Sequence, residues 1–554
     1  MDTQVLIAGA GPVGLTLAVD LGRRGIRCML VEKNEAPLGY PKMERCNPRT
    51  MEIFRRLGLA QRIRNAGYPP DWPMDNYLVL SLAKPMLMKF PFLTVAQAQA
   101  RTAASNDGTL PCEPYQIISQ YTLEPLLKSV AESIPNVTVR FGCEFQSFMQ
   151  DGNGVRCIVK PVNGASETIT CDYLVGCDGG ASEVRRQLGF RLEGETLKTL
   201  WQALFRCDDL WERVPAPRGR HYHLVDDHWT MMIVQDSTRH FTIHSIVDQD
   251  SEMPGRFEAM VGTPVDYETL HINRWTQRLM LSTGYGEGRV FIAGDACHLV
   301  IPTGGLGYNT GVGDAIDLSW KLAATLQGWG GPGLLRSYAV ERRQVGGRNV
   351  VASGRGNTGR KVWRDTWRPC IADDTPEGHA ALKHLLDVAS VEAGKSASVI
   401  GCELGYRYDD SPIVARELGE PPPHDIENYR PTTWPGARLP HVWLGPGVSV
   451  NDRIPDGYTL LRAGKARADP SRLANAFARI GAPFGILDID SEPARAVYGF
   501  DYLLVRPDLH VAWRGNRMPE HAEDLARLVT GHAADATRRA TDGSPHVDAA
   551  PSLS

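Results

Sequence analysis

The apolar positions of this chain keep two rhythms. Gln4-Val5-Leu6-Ile7-Ala8 is a short continuous apolar run of buried-strand type, and residues 15–24 follow at helical spacing. Cys28-Met29-Leu30-Val31 is the next strand-like run, and two more recur far downstream at 173–175 and 290–293. A helix over 310–325 places Ala315, Leu318 and Leu322 on one face. A second texture lies in between. His221-Tyr222-His223-Leu224-Val225, residues 229–234 and His240-Phe241-Thr242-Ile243-His244 alternate and are separated by Asp-rich turns, which predicts antiparallel strands. Residues 350–400 read as helical, most strongly at Ala380-Ala381-Leu382-Lys383-His384-Leu385-Leu386.

These rhythms predict an α/β plus α+β fold whose first domain is discontinuous. Residues 1–75, 112–190 and 286–400 form a Rossmann-type unit with its following helices, and 76–111 with 191–285 form an inserted antiparallel-sheet unit. Leu404-Gly405-Tyr406-Arg407-Tyr408 and Pro421-Pro422-Pro423 mark a linker over 401–431, and a third unit follows at 432–532. Residues 533–554, rich in Ala, Asp, Ser, Thr and Pro, read as a disordered tail.

Composition narrows the class without naming a chemistry. A 554-residue chain with 42% hydrophobic and 22% charged residues is globular and holds several domains. Its net charge of −4 gives no broad basic field, so nucleic acid is not an expected partner. No apolar run reaches membrane-spanning length and no signal peptide is legible, which leads to the expectation of a cytoplasmic protein without a membrane partner. Eleven scattered cysteines, from Cys28 to Cys402, include no C-x-x-C pair; they read as reduced thiols and exclude a redox-active dithiol. His221 and His223 share a strand face, as do His240 and His244. No cysteine or acid completes a ligand set, so no metal is expected.

Three motifs stand at the ends of the strand-like runs. The first is Gly9-Ala10-Gly11-Pro12-Val13-Gly14, followed at the end of the next strand by Glu32 and Lys33. Gly9 permits the tight turn, Gly11 lets the backbone approach a pyrophosphate, and Gly14 lets helix and strand pack closely. Glu32 stands about 20 residues on, where an acid accepts from a ribose hydroxyl. The others are Gly176-Cys177-Asp178-Gly179 and Gly294-Asp295-Ala296, each an apolar strand closed by a Gly/Asp pair.

In this order the motifs resemble the class A flavoprotein monooxygenases, the aromatic hydroxylases with the para-hydroxybenzoate hydroxylase fold. The likeness continues through Pro302-Thr303-Gly304-Gly305-Leu306-Gly307-Tyr308-Asn309, through Asn47-Pro48-Arg49 and Gln120-Tyr121-Thr122, and through Ser182-Glu183-Val184-Arg185-Arg186. It covers roughly residues 3–350, and 432–532 resemble the thioredoxin-like tail domain of the larger aromatic hydroxylases, here without a cysteine. The resemblance implies FAD held by Gly9, Gly11, Pro12, Val13, Gly14, Glu32, Lys33, Gln120, Asp178, Gly294, Asp295, Gly305, Leu306, Gly307 and Asn309. Lys42, where the family usually has arginine, and Arg45 are further candidates. Tyr308 replaces a usual methionine beside the ring, and Pro302 with Tyr308 are the candidate catalytic positions; Tyr308, His298 and Arg45 are the groups weighed as a base.

The resemblance implies a complete reaction. NADPH or NADH, visiting without a second Rossmann domain, reduces the flavin; oxygen adds at flavin C4a, and the hydroperoxide hydroxylates a phenolic or polycyclic aromatic substrate. The same intermediate serves Baeyer–Villiger-type oxygenation or epoxidation, the alternative reading; a flavin-bound redox sensor is a third. Halogenation lacks its Trp-x-Trp-x-Ile-Pro segment. The third unit is expected to be structural and to support a homodimer or cover the first unit.

Overall fold

In the computed structural model, which describes residues 1–464 and 467–533, the N-terminal apolar runs become neighbouring strands. Thr3–Ala8 pairs with Cys28–Glu32 on one side and Glu167–Gly176 on the other, and Val290–Ile292 pairs with the far side of Glu167–Gly176; all three pairings are parallel. Val137–Phe141 adds a fifth parallel strand beyond Cys28–Glu32. Val5, Leu6, Ile7, Leu174 and Val175 are fully buried, as suits parallel strands covered on both faces. All but the first residue of the expected tail, 534–554, lie outside the described residues.

A second sheet of eight strands runs in the order His298–Leu299, Glu268–Ser282, Leu192–Arg206, His240–Ser245, Met231–Val234, His221–Leu224, Asn76–Val79, Met88–Phe90. One of its faces is apolar. Ala203, Phe205, Phe241, Ile243, Met232 and Tyr222 pack there with Phe257 and Met260 of the helix Met253–Val261. A third sheet of four strands, Phe484–Asp488, Tyr458–Arg462, Tyr502–Val505 and Val511–Gly515, has one parallel and two antiparallel pairings.

The helix Leu306–Leu326 joins the first sheet to the third. Val312, Ala315, Leu318 and Leu322 belong to the first core, whereas Trp320 and Ala324 pack with Tyr458 and Leu460 of the third sheet. A helix apolar on every side belongs in the interior. This one also carries charge there. Lys321 Nζ donates to Asp317 Oδ2 at 2.7 Å and to Glu341 Oε2 at 2.6 Å, with all three side chains at 0–1% exposure. Arg506, equally buried, spans Glu341 Oε1 at 2.6 Å, Glu341 Oε2 at 2.9 Å, Asp508 Oδ2 at 2.7 Å and Asp317 Oδ1 at 3.1 Å. Two cations thus meet three acids. Burial pushes Asp317 up against the pull of Lys321, while Arg506 holds Asp508 far down.

Two segments differ from their sequence reading. The helix Pro376–Glu392, grouped by sequence with the first unit, packs Leu385 and Ala389 against Leu78 and Val225 of the second sheet. The expected linker 401–431 begins as a buried segment. Cys402 packs with Leu306 and Val399, and Tyr408 Oη accepts from Arg342 Nη1 at 3.2 Å; the segment becomes mostly exposed from Leu418 to His424. Docking to the interior helix, not a flexible tether, places the third sheet. Among the described residues no helix is long and apolar enough to cross a membrane.

Arg506→Met should leave Asp508 buried without its arginine and Glu341 with Lys321 alone, a loss on the order of 3–5 kcal/mol. Urea unfolding followed by far-UV dichroism and tryptophan fluorescence measures it; an unchanged midpoint would show that the cluster does not hold the units together.

Candidate functional site

The sequence motifs come together at one edge of the first sheet. Gly9 follows Thr3–Ala8, Asp178 follows Glu167–Gly176, Asp295 follows Val290–Ile292, and Glu32 ends its own strand. Across the sheet the carboxyl ends therefore read Asp295, Asp178, Gly9, Glu32. Three strand gaps separate the first from the last, about 14 Å at ~4.8 Å each. In open α/β sheets this edge is where ligands bind.

The glycine turn is shaped by close backbone approach. Gly9 has φ of +106°, and a Cβ there would lie 2.3 Å from Cys177 O; a Cβ on Gly14 would lie 2.1 Å from Gly9 O. A Cβ on Gly11 would meet nothing within 4 Å, so the turn leaves open space on that side alone. The helix Pro12–Arg23 starts there with Pro12 in its first turn and no side-chain cap. Val13 packs toward Gly294 and Gly311, tying this turn to the third motif. Its free N–H groups and positive dipole end face the gap.

Each acid has capacity left over. Glu32 Oε2 accepts from Ala10 N at 2.9 Å and Oε1 from Asn34 N at 3.0 Å, while Lys33 is exposed. Asp178 Oδ2 accepts from Glu183 N at 2.7 Å and Val184 N at 3.1 Å; its Oδ1 is buried without a partner, and burial raises its pKa. Asp295 is open to solvent, yet enough protein surrounds it to raise its pKa against the pull of His298 and Lys42. Lys42 is exposed, with Nζ 5.8 Å from the Tyr40 ring.

The segment after Asp295 forms the floor. Gly304 and Gly305, at φ of +82° and +63°, turn the chain into the helix Leu306–Leu326, whose start has no side-chain cap. Pro302 is exposed at the start of this turn, and a Cβ on Gly307 would press on Val300. Leu306 is buried beside Val399 and Cys402. Asn309 fixes the turn: Oδ1 accepts from Asn47 N at 2.9 Å, and Nδ2 donates to Gly305 O at 2.6 Å and Arg45 O at 3.0 Å. Arg45 braces the same loop, donating to Gly304 O at 3.3 Å and to Glu403 Oε1 at 2.5 Å. Gln120 Nε2 donates to Glu124 Oε1 at 2.6 Å behind residues 38–43. Tyr308 Oη lies 3.9 Å from Cys46 Sγ, and burial pushes its pKa far above the ordinary value, so its proton stays on.

Several supporting residues carry no motif. Asp314 accepts from Gly294 N at 3.1 Å, bonds His298 Nε2 at 2.8 Å and accepts from Arg342 Nε at 2.8 Å. It holds the third motif to the helix behind the floor, and His298 is thereby a loop-fixing residue. The helical pattern at 313–322 includes Asp314, but nothing in the sequence alone pairs it with Arg342.

The ceiling is the second face of the eight-stranded sheet. Asn273, Gln202 and His244 lie directly across from one another on three strands, and the row continues through Met231 to His223. Along Glu268–Ser282, His271, Asn273, Trp275 and Gln277 point to this side at every second position. His271 Nε2, Asn273 Oδ1, Trp275 Nε1 and Gln277 Oε1 are all buried without a hydrogen-bond partner. Residues 40–45 link ceiling to floor: Tyr40 stacks on His271 at 4.0 Å, Pro41 O accepts from Gln202 at 2.7 Å, and Glu44 bonds His221 and Arg220 at 2.8 and 2.6 Å. Of the four histidines noted in sequence, His221, His223 and His244 are largely enclosed; among the described residues no metal-holding cluster forms.

Comparison with known proteins agrees with this geometry. Residues 2–353 match the FAD binding domain family and residues 432–534 the aromatic-ring hydroxylase C-terminal family. The FAD-dependent monooxygenase apdD of Emericella nidulans is 31% identical over 95% of this chain and 90% of its own length. Aklavinone 12-hydroxylase RdmE of Streptomyces purpurascens is 32% identical over 96% and 98%. Among solved structures, RebC with bound 7-carboxy-K252c superposes with a TM-score of 0.87 at 31% identity, covering 96% of this chain and 99% of that one.

The two glycine positions separate packing from access. Gly14→Ala should lower the melting temperature, because its Cβ meets Gly9 O. Gly11→Ala should melt with the parent protein when both are free of bound ligand. Equal losses in a thermal scan would contradict the stated shape of the turn.

Proposed function

The chain belongs to the FAD-dependent aromatic-ring hydroxylases, and from that membership we propose that it hydroxylates a phenolic, polycyclic, polyketide-like compound at the cleft between sheet edge and polar ceiling. The observation that carries this reading is the row Asp295, Asp178, Gly9, Glu32 along the carboxyl edge of the parallel sheet, with open space beside Gly11. The residues fit the cofactor. Glu32 accepts from the adenosine ribose, with Lys33 flanking it, and Gly9, Gly11, Pro12, Val13 and Gly14 receive the pyrophosphate on the uncapped helix start. Asp295 and the free Oδ1 of Asp178 accept from hydroxyls of the chain leading to the ring, with Lys42 and Gln120 at its flank. Gly294, Gly305, Leu306, Gly307 and Asn309 bed the ring itself.

Bound there, FAD supplies the reduction by NADPH or NADH and the activation of oxygen that ring hydroxylation needs. The protein supplies position and polarity. With FAD bound, the Gly304–Gly305 turn would present the uncapped start of the helix Leu306–Leu326 to the ring, where its dipole would favour negative charge. Pro302 fixes the entry to that turn, and Tyr308, which keeps its proton, shapes the pocket beside it. The unpartnered atoms of Asn273, Trp275, Gln277 and His271 suit an oxygen-rich planar ligand, since buried polar groups rarely go unpaired. Burial holds His244 down to about 4, so it is a neutral acceptor for a substrate hydroxyl at physiological pH.

The sheet at 458–515, with its three flanking helices, is assigned as a thioredoxin-like domain in a structural role, since no cysteine follows Cys402. Eleven unpaired thiols support a cytoplasmic location.

The test has two arms. A panel of phenols and hydroxylated polycycles is assayed for stimulation of NADPH and NADH oxidation, and product mass is determined. One added oxygen on an aromatic substrate supports the reading; turnover restricted to non-aromatic substrates overturns it. Separately, Asp295→Ala should weaken FAD binding about 10-fold or more, and Gly11→Val should lower FAD content in a protein whose flavin-free form melts with the parent's flavin-free form. Undiminished FAD content in both variants would remove these residues from the cofactor site.

A further inference from the structure

Four arginines reach the polar ceiling or the loop beneath it. Three are matched by an acid: Arg45 by Glu403 at 2.5 Å, Arg220 by Glu44 at 2.6 Å, and Arg364 by Asp226 at 3.7 Å. Arg360 is not. It is partly buried, and it forms no hydrogen bond or ion pair with any described residue; burial alone bears on its charge and lowers its pKa to about 10. A cation left in that state is costly unless a partner arrives.

Its position is defined by its helix, Pro332–Arg364. One turn earlier, Gly356 packs on Thr303 of the floor loop, where an added Cβ would lie 3.2 Å from Thr303 Cβ. One turn later, Arg364 donates to Thr230 O at 3.2 Å and Trp363 meets the His223 ring at 6.0 Å. Arg360 therefore stands between the floor and the ceiling row, close enough to act electrostatically on His221, His223 and His244. Those three imidazoles are kept uncharged by burial and do not compete for an anion. The neighbouring acids, Glu44 and Asp226, already hold their own arginines. Asp226 is shared with Arg256 at 3.9 Å, so neither acid is left to take Arg360.

We propose that Arg360 anchors a carboxylate of the substrate, so that the enzyme acts on aromatic acids whose carboxyl group lies remote from the carbon hydroxylated. About one helical turn, ~6 Å along the axis, separates Arg360 from Gly356 on the Thr303 loop, so a carboxyl group at Arg360 lies beyond that loop. A planar guanidinium matches a carboxylate with two parallel hydrogen bonds, whereas an ester offers no charge to pair. The inference rests on the hydroxylase reading and adds a specificity-determining residue to it.

The experiment titrates holoenzyme by calorimetry with a dihydroxyanthraquinone carboxylic acid and its methyl ester, and with hydroxynaphthoic acids and their esters. At least one acid should bind about 10- to 100-fold more tightly than its own ester, as for a hydrogen bond to a charged group. Arg360→Gln should abolish that preference without lowering ester affinity, FAD content or melting temperature, and Arg360→Lys should restore part of it. Acids binding no better than esters throughout the panel would overturn the proposal, and so would a preference that survives in Arg360→Gln. Phenol-stimulated NAD(P)H oxidation in the same preparations reports separately on the hydroxylase reading. Neutral phenols turned over equally by the parent protein and Arg360→Gln, with no acid preference, would sink the carboxylate anchor alone.

Discussion

Charge buried inside the molecule is the constraint on which the other parts depend. Lys321, Asp317, Glu341, Arg506 and Asp508 sit together at 4% exposure or less, and a few residues earlier on the same helix Asp314 takes Arg342 and His298. Neither group is stable alone, because desolvating an ion costs several kcal/mol that only a well-placed partner repays. The two clusters act through one rigid rod. The rod's first turn is the floor loop, its Asp314 fixes Gly294, and its later turns are clamped by a residue from the third sheet. Errors in docking that sheet are therefore felt at the cleft, although none of its strands comes near it in sequence.

Much of the cleft is legible in the sequence because its constraints are backbone constraints. Gly9 and Gly14 are glycines since any side chain would collide with Cys177 O or Gly9 O. Such collisions leave a mark in residue type and spacing. Strand runs with no wet side, such as Val5-Leu6-Ile7, leave one too. Parallel pairing then brings Asp178 and Asp295 beside Gly9, a juxtaposition the motif order suggests and the sheet order realises.

Side-chain partnership is where reading stops. The ceiling file His271, Asn273, Trp275, Gln277 has the period of a strand, yet it mixes aromatic and polar residues, and its apolar counterpart is thin. Arg274, Thr276 and Arg278 on the other face are polar too, so no alternation of polarity marks the file. Arg45 pairs with Glu403 across 358 residues, and Arg506 with Glu341 across 165, separations that no local pattern encodes. The same blindness affects Pro376–Glu392. Its periodicity declares a helix, but only the contact with Leu78 and Val225 says which sheet it serves.

The 165 residues between Glu341 and Arg506 also impose an order in time. A ribosome adding 5–20 residues per second needs about 8–33 s to cover them. During that interval Asp317, Lys321 and Glu341 already exist, but the guanidinium that permits their burial does not. The helix Leu306–Leu326 cannot settle into its final seat until the chain is nearly finished. The cleft floor is thus among the last parts to mature, although the glycine turn that faces it is among the first to be made.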